Sequence, residues 1–376
     1  VYHMQEAKKA CNADTVIGIM SGFFVQRAEP AVVSPNVRAK AAIMCGMDAV
    51  LEMPVAFSCA TGELFARGAI HSISHIHGIN YLAMGVEDNP DLLIRIAEIQ
   101  SQESAAYQTA LKLHLDKGMP YAAAITAATA TVIGDRERID CEAALHKPNN
   151  VLAVEYVKAI YRRNLSIRPI FIPRKGNGYN NTDTSGEYIS ATAARTLLQE
   201  GDTKKLRPYI PPHCLQELLT EYATHRIQSR VYNALSVHAL RTRNIADAFD
   251  ACEGIDKRLT ACAMQYASLE EIVSAAKSKR YTISRIKRIC LQTLLGITKD
   301  SMQNANNAAA RLIAVKNTRK NLLRDFTGVA VQNTDYAALG SDALRASQID
   351  GMAGSIYALI TAQNGNLFWD RKLLTV

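Results

Sequence analysis

Apolar and polar positions alternate along the first half of the chain with two different periods. Short runs of β-branched and other apolar residues predict strands, and longer stretches with apolar residues every three or four positions predict helices. The strands are predicted at about 14–20, 48–53, 79–85 and 168–173, and the helices at 34–46, 61–77, 90–115, 120–132 and 149–163. This alternation is typical of an α/β fold with a Rossmann-like parallel sheet. In such sheets ligands bind in the loops that follow the carboxyl ends of the strands.

The pattern changes after Pro208, Pro211 and Pro212, where β-branched runs become rare and amphipathic helical patterns continue to about residue 325. A proline-rich stretch of this kind is a reasonable domain boundary. We therefore predict a nucleotide-binding domain at 1–205 and an all-α domain at 206–376. In the helix predicted near residue 285, Ile283, Ile286, Cys290 and Leu294 share one face, and Arg285, Arg288 and Gln292 lie opposite. Residues 326–376 have weak periodicity and receive no role.

Net charge is distributed unevenly. Residues 1–200 carry 19 Lys and Arg against 20 Asp and Glu, whereas residues 201–376 carry 24 against 15, so the formal charge of +8 lies in the second half. Between Lys277 and Arg324, 12 basic residues accompany a single acid, Asp300. An imbalance this large favours a surface that binds a polyanion over an ordinary solvated helix face.

Composition excludes several other classes of protein. No apolar run is long enough to span a membrane, and the first residues do not resemble a signal peptide, so we expect a cytoplasmic protein. The eight cysteines include no CxxC pair and predict neither a zinc ribbon nor a disulfide framework. His71, His75 and His77 lie close enough in sequence for a pair of them to share a metal, but we favour a packed or surface helix end there and predict no metal site.

The most specific local sequence lies at 174–195. Arg174 and Lys175 follow a predicted strand and precede Gly176 and Gly178, an arrangement suited to binding phosphate. Ser190, Thr192 and Arg195 open a helix, where free N–H groups favour an anion. The alternative is that Ser190 only caps the helix and Arg195 is solvated.

The segment ISATAAR at 189–195 resembles the second signature of the nucleotidyltransferase superfamily whose first signature is an HxGH loop. Further segments, including YHMQEAKK, LEMPVAF, KPNNVLAVEY, RKGNGYN and KRYTISRIKRICLQTLLGI, are similar to the tRNA(Met) cytidine acetate ligase family. This similarity extends from residue 1 to about residue 325. It implies an ATP-dependent ligase that uses ATP with Mg²⁺ and activates acetate as acetyl-adenylate. The acetyl group would then pass to N4 of the wobble cytidine of elongator tRNA(Met); DNA and membranes are not expected partners.

The resemblance also implies roles for individual residues. Ser190, Thr192 and Arg195 match the catalytic, phosphate-facing signature. The residues that match nucleotide contacts are Tyr2, His3, Gly85, Asn149 or Asn150, Arg174 and Lys175. The basic residues expected to contact tRNA phosphates are Arg285, Lys287, Arg288, Arg311, Lys316, Arg319 and Lys320. Tyr281 could stack on a base or pack in the core.

Several positions depart from the family pattern. The pattern begins with a strand and an HxGH loop that would directly precede Val1, so we expect this loop either upstream of the sequence or lost. Asn is expected at Phe23, Gly at Ala28, and Phe-Gly-Ser-Glu at 84–87. The missing loop keeps open the alternative of a non-catalytic tRNA-binding homologue. A small-molecule adenylyltransferase is a further alternative, against which the basic second half argues.

Overall fold

The computed structural model of the chain describes residues 1–175, 188–305 and 307–376, and these form two compact units. Unit 1 contains residues 1–14 and 78–211, and unit 2 contains residues 15–77 and 212–376. The chain passes from unit 1 to unit 2 after Pro211, close to the predicted boundary. Residues 15–77 belong to unit 2, which the sequence did not predict. The assignment of ATP binding to one domain and tRNA binding to the other stays a prediction.

The described residues form strands and helices in the following order along the chain. The strands are β1 (Ile17–Ser21), β2 (Phe24–Val25), β3 (Glu29–Pro30), β4 (Ala49–Met53), β5 (Tyr81–Val86), β6 (Arg168–Pro173), β7 (Arg311–Val315) and β8 (Leu374–Thr375). The helices up to residue 162 are α1 (Tyr2–Cys11), α2 (Pro35–Met44), α3 (Val55–Ser58), α4 (Gly62–Ile73), α5 (Pro90–Gln102), α6 (Ala105–Asp116), α7 (Tyr121–Ile133), α8 (Arg138–Leu145) and α9 (Pro148–Arg162). The later helices are α10 (Ala191–Glu200), α11 (Thr203–Leu206), α12 (Pro212–Thr224), α13 (Ser229–Thr242), α14 (Ile255–Gln265), α15 (Leu269–Ala276), α16 (Ile283–Leu295), α17 (Lys299–Ala305), α18 (Asp335–Ala338) and α19 (Ser341–Ile360). Short 3₁₀ helices occupy Arg207–Tyr209, Ile245–Asp247 and Asn317–Asp325.

Unit 1 is built on a parallel pair of strands covered by helices. Strands β5 and β6 pair in register from Tyr81 opposite Arg168 to Val86 opposite Pro173. Apolar residues of α5 and α9, such as Leu93, Ile96, Val154 and Val157, are buried in the core beside the strands. Because the strands are parallel, their carboxyl ends lie at one edge, and the residues after Val86 and Pro173 emerge together.

The helix predicted at 90–115 is two helices. Helix α5 ends at Gln102, where Glu103 adopts a left-handed conformation with φ 45°. The Ser104 hydroxyl then caps α6 by accepting from the Tyr107 N–H. The apolar periodicity continues across this break, so hydrophobic patterning alone did not reveal it.

Unit 2 contains a four-stranded sheet in the order β1-β4-β7-β8. β1 and β4 are parallel, as predicted, whereas β4 and β7 are antiparallel, with a shift in register between Val50 and Leu51. The second half, predicted to be all-α, is therefore not wholly helical. It contributes β7 and β8 to a sheet whose other two strands, β1 and β4, come from residues 17–53. The α/β fold class is confirmed, although the four predicted strands pair in two sheets.

The part of the chain that the structure describes contains no helix long and apolar enough to cross a lipid bilayer. The cytoplasmic location stays a prediction.

Candidate functional site

The carboxyl ends of β5 and β6 bring several predicted nucleotide-binding residues together in unit 1. The Arg174 N–H continues the ladder beyond β6 by donating to the Val86 carbonyl at 2.9 Å. A Cβ atom built on Gly85 would lie 3.5 Å from Arg174 Cγ and 3.8 Å from His3 Nδ1. Gly85 thus lies between an arginine and a histidine, each at an ordinary van der Waals distance from that Cβ position. Its contact with a nucleotide stays a prediction. We refer to Gly85, Arg174 and His3, together with Tyr2, Lys175, Asn149 and Asn150 described below, as the strand-end site.

Helix α1 presents its first residues to the same strands. The Tyr2 hydroxyl donates to the Pro173 carbonyl at 3.3 Å. The Lys175 ammonium lies 4.7 Å from the centre of the Tyr2 ring, and the Tyr188 ring lies 5.6 Å from it. Tyr2 thus contacts the segments on both sides of 176–187, a range that lies outside the described residues together with Gly176 and Gly178. The sequence did not single out Tyr188.

Burial favours the neutral form of His3. Desolvation lowers the pKa of His3 below its usual value, and the positive charge of Arg174 acts in the same direction, against a hydrogen bond with the Ala83 backbone. A neutral imidazole can donate a hydrogen bond at one nitrogen and accept at the other. The positive charge beside Gly85 is therefore carried by Arg174.

The two asparagines at the start of α9 organise the turn after β5. Asn150 is buried; its side-chain oxygen accepts from the Glu87 N–H at 2.8 Å, and its amide donates to Asp88. The Asn149 amide donates to the Glu87 carboxylate. Asn150 thus fixes the backbone of the turn, whereas Asn149 is only partly buried. The contact of Asn150 with Asp88 was not predicted from the sequence, although Asp88 lies one residue beyond the 84–87 turn.

Ser190 caps helix α10. It is buried, and its hydroxyl accepts from the Ala193 N–H at 3.0 Å. Arg195 donates to the Thr192 hydroxyl at 3.1 Å, one turn into the same helix. The cap at Ser190 agrees with the capping alternative, whereas Arg195 is half-buried and hydrogen-bonded within the helix, and not solvated. The role of the three side chains toward phosphate stays a prediction.

The predicted tRNA-contacting residues lie in unit 2 in different environments. The helix α16 residues are already paired: Arg285 with Glu253 at 2.8 Å and Arg288 with Asp250 at 2.8 Å. Lys287 pairs with Glu29 at 2.8 Å, and Arg319 lies 3.3 Å from Asp48. Lys316 is half-buried and Lys320 is exposed.

Burial overturns the interpretation of Arg311 and decides between the two alternatives for Tyr281. Arg311 is 3% exposed, and its guanidinium donates to the carbonyls of Phe368 and Arg371 at 2.7 and 2.6 Å. A side chain held in this way stabilises the sheet and does not reach an RNA phosphate. Tyr281 is also buried, and its hydroxyl donates to the Glu253 carbonyl at 2.6 Å, so core packing is the better interpretation.

Some local departures from the family pattern now have a physical meaning. Ala28, where the family pattern expects Gly, adopts a left-handed conformation with φ 58°. That conformation is one that glycine adopts with little strain. Phe23 is buried against the Tyr357 ring, at 5.2 Å between ring centres.

Two of the three histidines at this helix end, His71 and His75, pack together, and His77 is exposed. His71 is buried, with Nε2 3.1 Å from the Ala308 carbonyl oxygen, and its ring meets that of His75 edge to face at 4.6 Å. Among the described residues, the one group of three or more His, Cys, Asp or Glu side chains close enough to hold a metal ion is Cys45, His213 and Cys214.

A family model and several known proteins are similar to this chain in sequence. A family model described as HIGH Nucleotidyl Transferase matches residues 1–367. A tRNA(Met) cytidine acetate ligase of Caldanaerobacter subterraneus subsp. tengcongensis is 36% identical over 305 residues, which cover 80% of this chain and 75% of that protein. One from Clostridium kluyveri is 30% identical over 389 residues, covering 100% of this chain and 94% of that protein.

Two solved structures are similar to this chain over its whole length. The chain is similar to apo Thermotoga maritima TmcAL, with a TM-score of 0.93 and 25% identity, over 100% of this chain and 95% of that one. The same enzyme bound with alpha-thio ATP matches with a TM-score of 0.91 and 25% identity, over the same shares of the two chains.

Proposed function

The chain belongs to the tRNA(Met) cytidine acetate ligase family of HIGH nucleotidyltransferases, a family of ligases, and from this premise we propose that it acetylates N4 of the wobble cytidine of elongator tRNA(Met). The acetate carboxylate attacks the α-phosphorus of ATP, which releases pyrophosphate and forms acetyl-adenylate. The cytidine amine then attacks the acetyl carbonyl, and AMP leaves. Adenylation is needed because acetate itself has no good leaving group.

The observation that carries the proposal is the strand-end site. Gly85 is half-buried near the end of β5, the Arg174 side chain lies beside it, and Lys175 follows in the chain. Arginine and lysine side chains bind phosphate oxygens through charge-assisted hydrogen bonds. The neutral His3 can donate to a phosphate or a ribose oxygen without adding charge. The complex of the similar Thermotoga maritima TmcAL with alpha-thio ATP supports ATP as the nucleotide.

The site's own residues act by binding and orientation in this proposal. Helix α10 would direct its free N–H groups at the triphosphate. Holding the acyl donor close to the weakly nucleophilic cytidine amine, away from water, supplies the acceleration. We assign no side chain as a general base, because the reaction at phosphorus is assisted mainly by positioning and electrostatic stabilisation.

Mg²⁺ is compatible with these residues as a companion of ATP. Magnesium is usually held by substrate phosphates, water and one or two carboxylates. Glu87 and Asp88 are the carboxylates after β5, and both already accept hydrogen bonds from asparagines of α9. When bound, the ion would neutralise triphosphate charge, and we propose that the phosphates supply most of its ligands.

An acetylation assay tests the proposal. The chain is incubated with radiolabelled acetate, ATP, Mg²⁺ and unmodified elongator tRNA(Met), and the tRNA is digested to nucleosides. We expect label in N4-acetylcytidine and release of AMP. The matched control is the same tRNA with uridine at the wobble position, which has no exocyclic amine and should receive no label.

The remaining outcomes would overturn the proposal in distinguishable ways. Acetyl-adenylate trapped by hydroxylamine, with no label in tRNA, would indicate a small-molecule adenylyltransferase. Retention of tRNA on the protein without pyrophosphate release would indicate a non-catalytic homologue.

A further inference from the structure

Two cysteines that are 169 positions apart in the sequence meet in unit 2. Cys45 is the C-cap of α2 and is partly exposed, and Cys214 lies buried in the first turn of α12. Their sulfur atoms are 3.7 Å apart. His213 is exposed beside them, and the three potential ligand atoms all lie within 4.8 Å of one another.

Contacts between α2 and α12 fix the positions of these three residues. Lys40 of α2 pairs with Glu217 of α12 at 3.1 Å, and the Ser34 N–H donates to Glu221 at 3.4 Å. Earlier residues of α2 thus contact later residues of α12, so the helices run antiparallel. The cysteines close the end of this pair, and their positions are fixed by the contacts along both helices.

The spacing of the sulfur atoms fits a tetrahedral metal ion. Two thiolates bound to zinc at about 2.3 Å in tetrahedral geometry lie about 3.8 Å apart, close to the observed separation. A disulfide would require the sulfur atoms to approach to about 2.05 Å. Two sulfurs and one imidazole are a donor set that zinc prefers over magnesium or calcium.

We propose that Cys45, His213 and Cys214 bind one Zn²⁺ ion, with water as the fourth ligand on the exposed side of His213. Zinc binding releases the thiol protons to solvent as the two sulfur–metal bonds form. The ion would link the end of α2 to the start of α12 and so stabilise unit 2. This site is separate from the strand-end site, and its test does not depend on ligase activity.

The test uses the full chain, stripped of metal by a chelator under reducing conditions. Zn²⁺ is titrated in competition with a chromophoric chelator, and Co²⁺ is used as a spectroscopic substitute. We expect one equivalent of Zn²⁺ to bind, a thiolate-to-cobalt charge-transfer band to appear, and the melting temperature to rise on zinc addition.

Single variants assign the ligands. Cys45→Ser and Cys214→Ser should each weaken zinc binding by more than about 100-fold, since even outer-sphere changes cost 10- to 100-fold. His213→Ala changes an exposed residue, so it tests the site without disturbing the core. Cys11→Ser is the matched control, because Cys11 is also partly exposed but lies in unit 1; it should bind zinc as the wild type does.

Three outcomes would overturn the proposal. They are absence of a cobalt charge-transfer band in the wild type, zinc affinity unchanged in Cys45→Ser and His213→Ala, and formation of a Cys45–Cys214 disulfide that zinc does not prevent. The last result would assign the pair to thiol oxidation.

Discussion

Arg174 is the single residue on which the proposed ATP contact depends most, and strand β6 supplies its control. Arg168 is the first residue of β6, and Arg174 directly follows the last one. We expect Arg174→Ala to weaken ATP binding by about 10- to 100-fold, the loss of one charge-assisted hydrogen bond, and Arg168→Ala to leave it unchanged. Isothermal titration of ATP into each variant measures this. Equal losses in the two variants would show that general charge, and not position, accounts for the effect.

A second prediction at the residue scale concerns the buried carboxyl of Asp350 in α19. Burial raises the pKa of Asp350 to about 8, and Glu52 acts in the same direction, whereas the hydrogen bond from the Val55 N–H at 2.7 Å and two arginines oppose it. An unfolded aspartate titrates near pH 3.9. Between these two pH values the folded chain keeps a proton that the unfolded chain has lost. The contribution of Asp350 to the free energy of unfolding therefore falls as the pH rises from about 4 to about 8.

Asp350→Asn should remove that dependence. We expect the variant to gain stability relative to the wild type as the pH rises through this range, measured by urea unfolding at several pH values. Asp116→Asn, at an exposed position of α6, controls for loss of a surface carboxyl. Parallel profiles of the wild type and Asp350→Asn would contradict the prediction.

At the scale of elements, helix α10 tests whether an N-cap also faces phosphate. Ser190→Asp keeps an acceptor for the Ala193 N–H but adds a negative charge at the helix start. If the triphosphate binds there, this variant should lose ATP affinity by at least about 10-fold, whereas Ser190→Ala should mainly lose about 1 kcal/mol of stability. Urea unfolding and ATP titration separate the two effects.

The start of α6 provides the matched control for that variant. Ser104 is an N-cap in the same unit, with its hydroxyl accepting from the Tyr107 N–H at 3.3 Å. Ser104→Asp should leave ATP affinity unchanged. Unchanged affinity in Ser190→Asp as well would leave Ser190 with the capping role alone.

Element boundaries were predictable from the sequence to the extent that they depend on neighbouring residues. The predicted strand at 168–173 matches β6, and the predicted helices at 120–132 and 149–163 differ from α7 and α9 by one residue at each end. Pairing between distant segments was not predictable in this way. The pairing of β4 with β7 joins residues about 260 positions apart, and no periodicity in either segment indicates its partner.

The candidate site shows the same division. The residues after β5 and β6 could be predicted, because parallel strands end at one edge and the family signature marks Arg174 and Ser190. Arg311 was misinterpreted because charge alone does not reveal burial, and its acceptors at Phe368 and Arg371 are far away in the sequence. The contact between Cys45 and Cys214 was not predicted, because 169 positions separate them in the sequence.

At the scale of the whole molecule, the formal charge of +8 belongs mostly to the second half of the sequence. The structure shows which of these Lys and Arg side chains are already paired with acids or buried, and such side chains are poor candidates for binding a polyanion. Arg285 and Arg288 are paired with acids, and removing them would also leave Glu253 and Asp250 without their partners. Their contribution to tRNA binding stays a prediction. Variants at these two positions would change the stability of the protein as well as its affinity for tRNA, so they would not test it cleanly. Lys316 and Lys320, around the start of the 3₁₀ helix Asn317–Asp325, are the clearer test.

The double variant Lys316→Gln, Lys320→Gln should weaken tRNA binding and reduce its salt dependence. Each lysine that contacts a phosphate contributes about one unit to the slope of log K against log salt concentration, so the slope should fall by about two. The measurement is fluorescence anisotropy of labelled tRNA over a range of salt concentrations. The control is Lys112→Gln, Lys117→Gln, which removes the same formal charge from exposed positions in unit 1. Because it leaves the second half unchanged, its slope should equal that of the wild type. Equal reductions in the two double variants would attribute tRNA binding to net charge and remove the case for a defined basic surface.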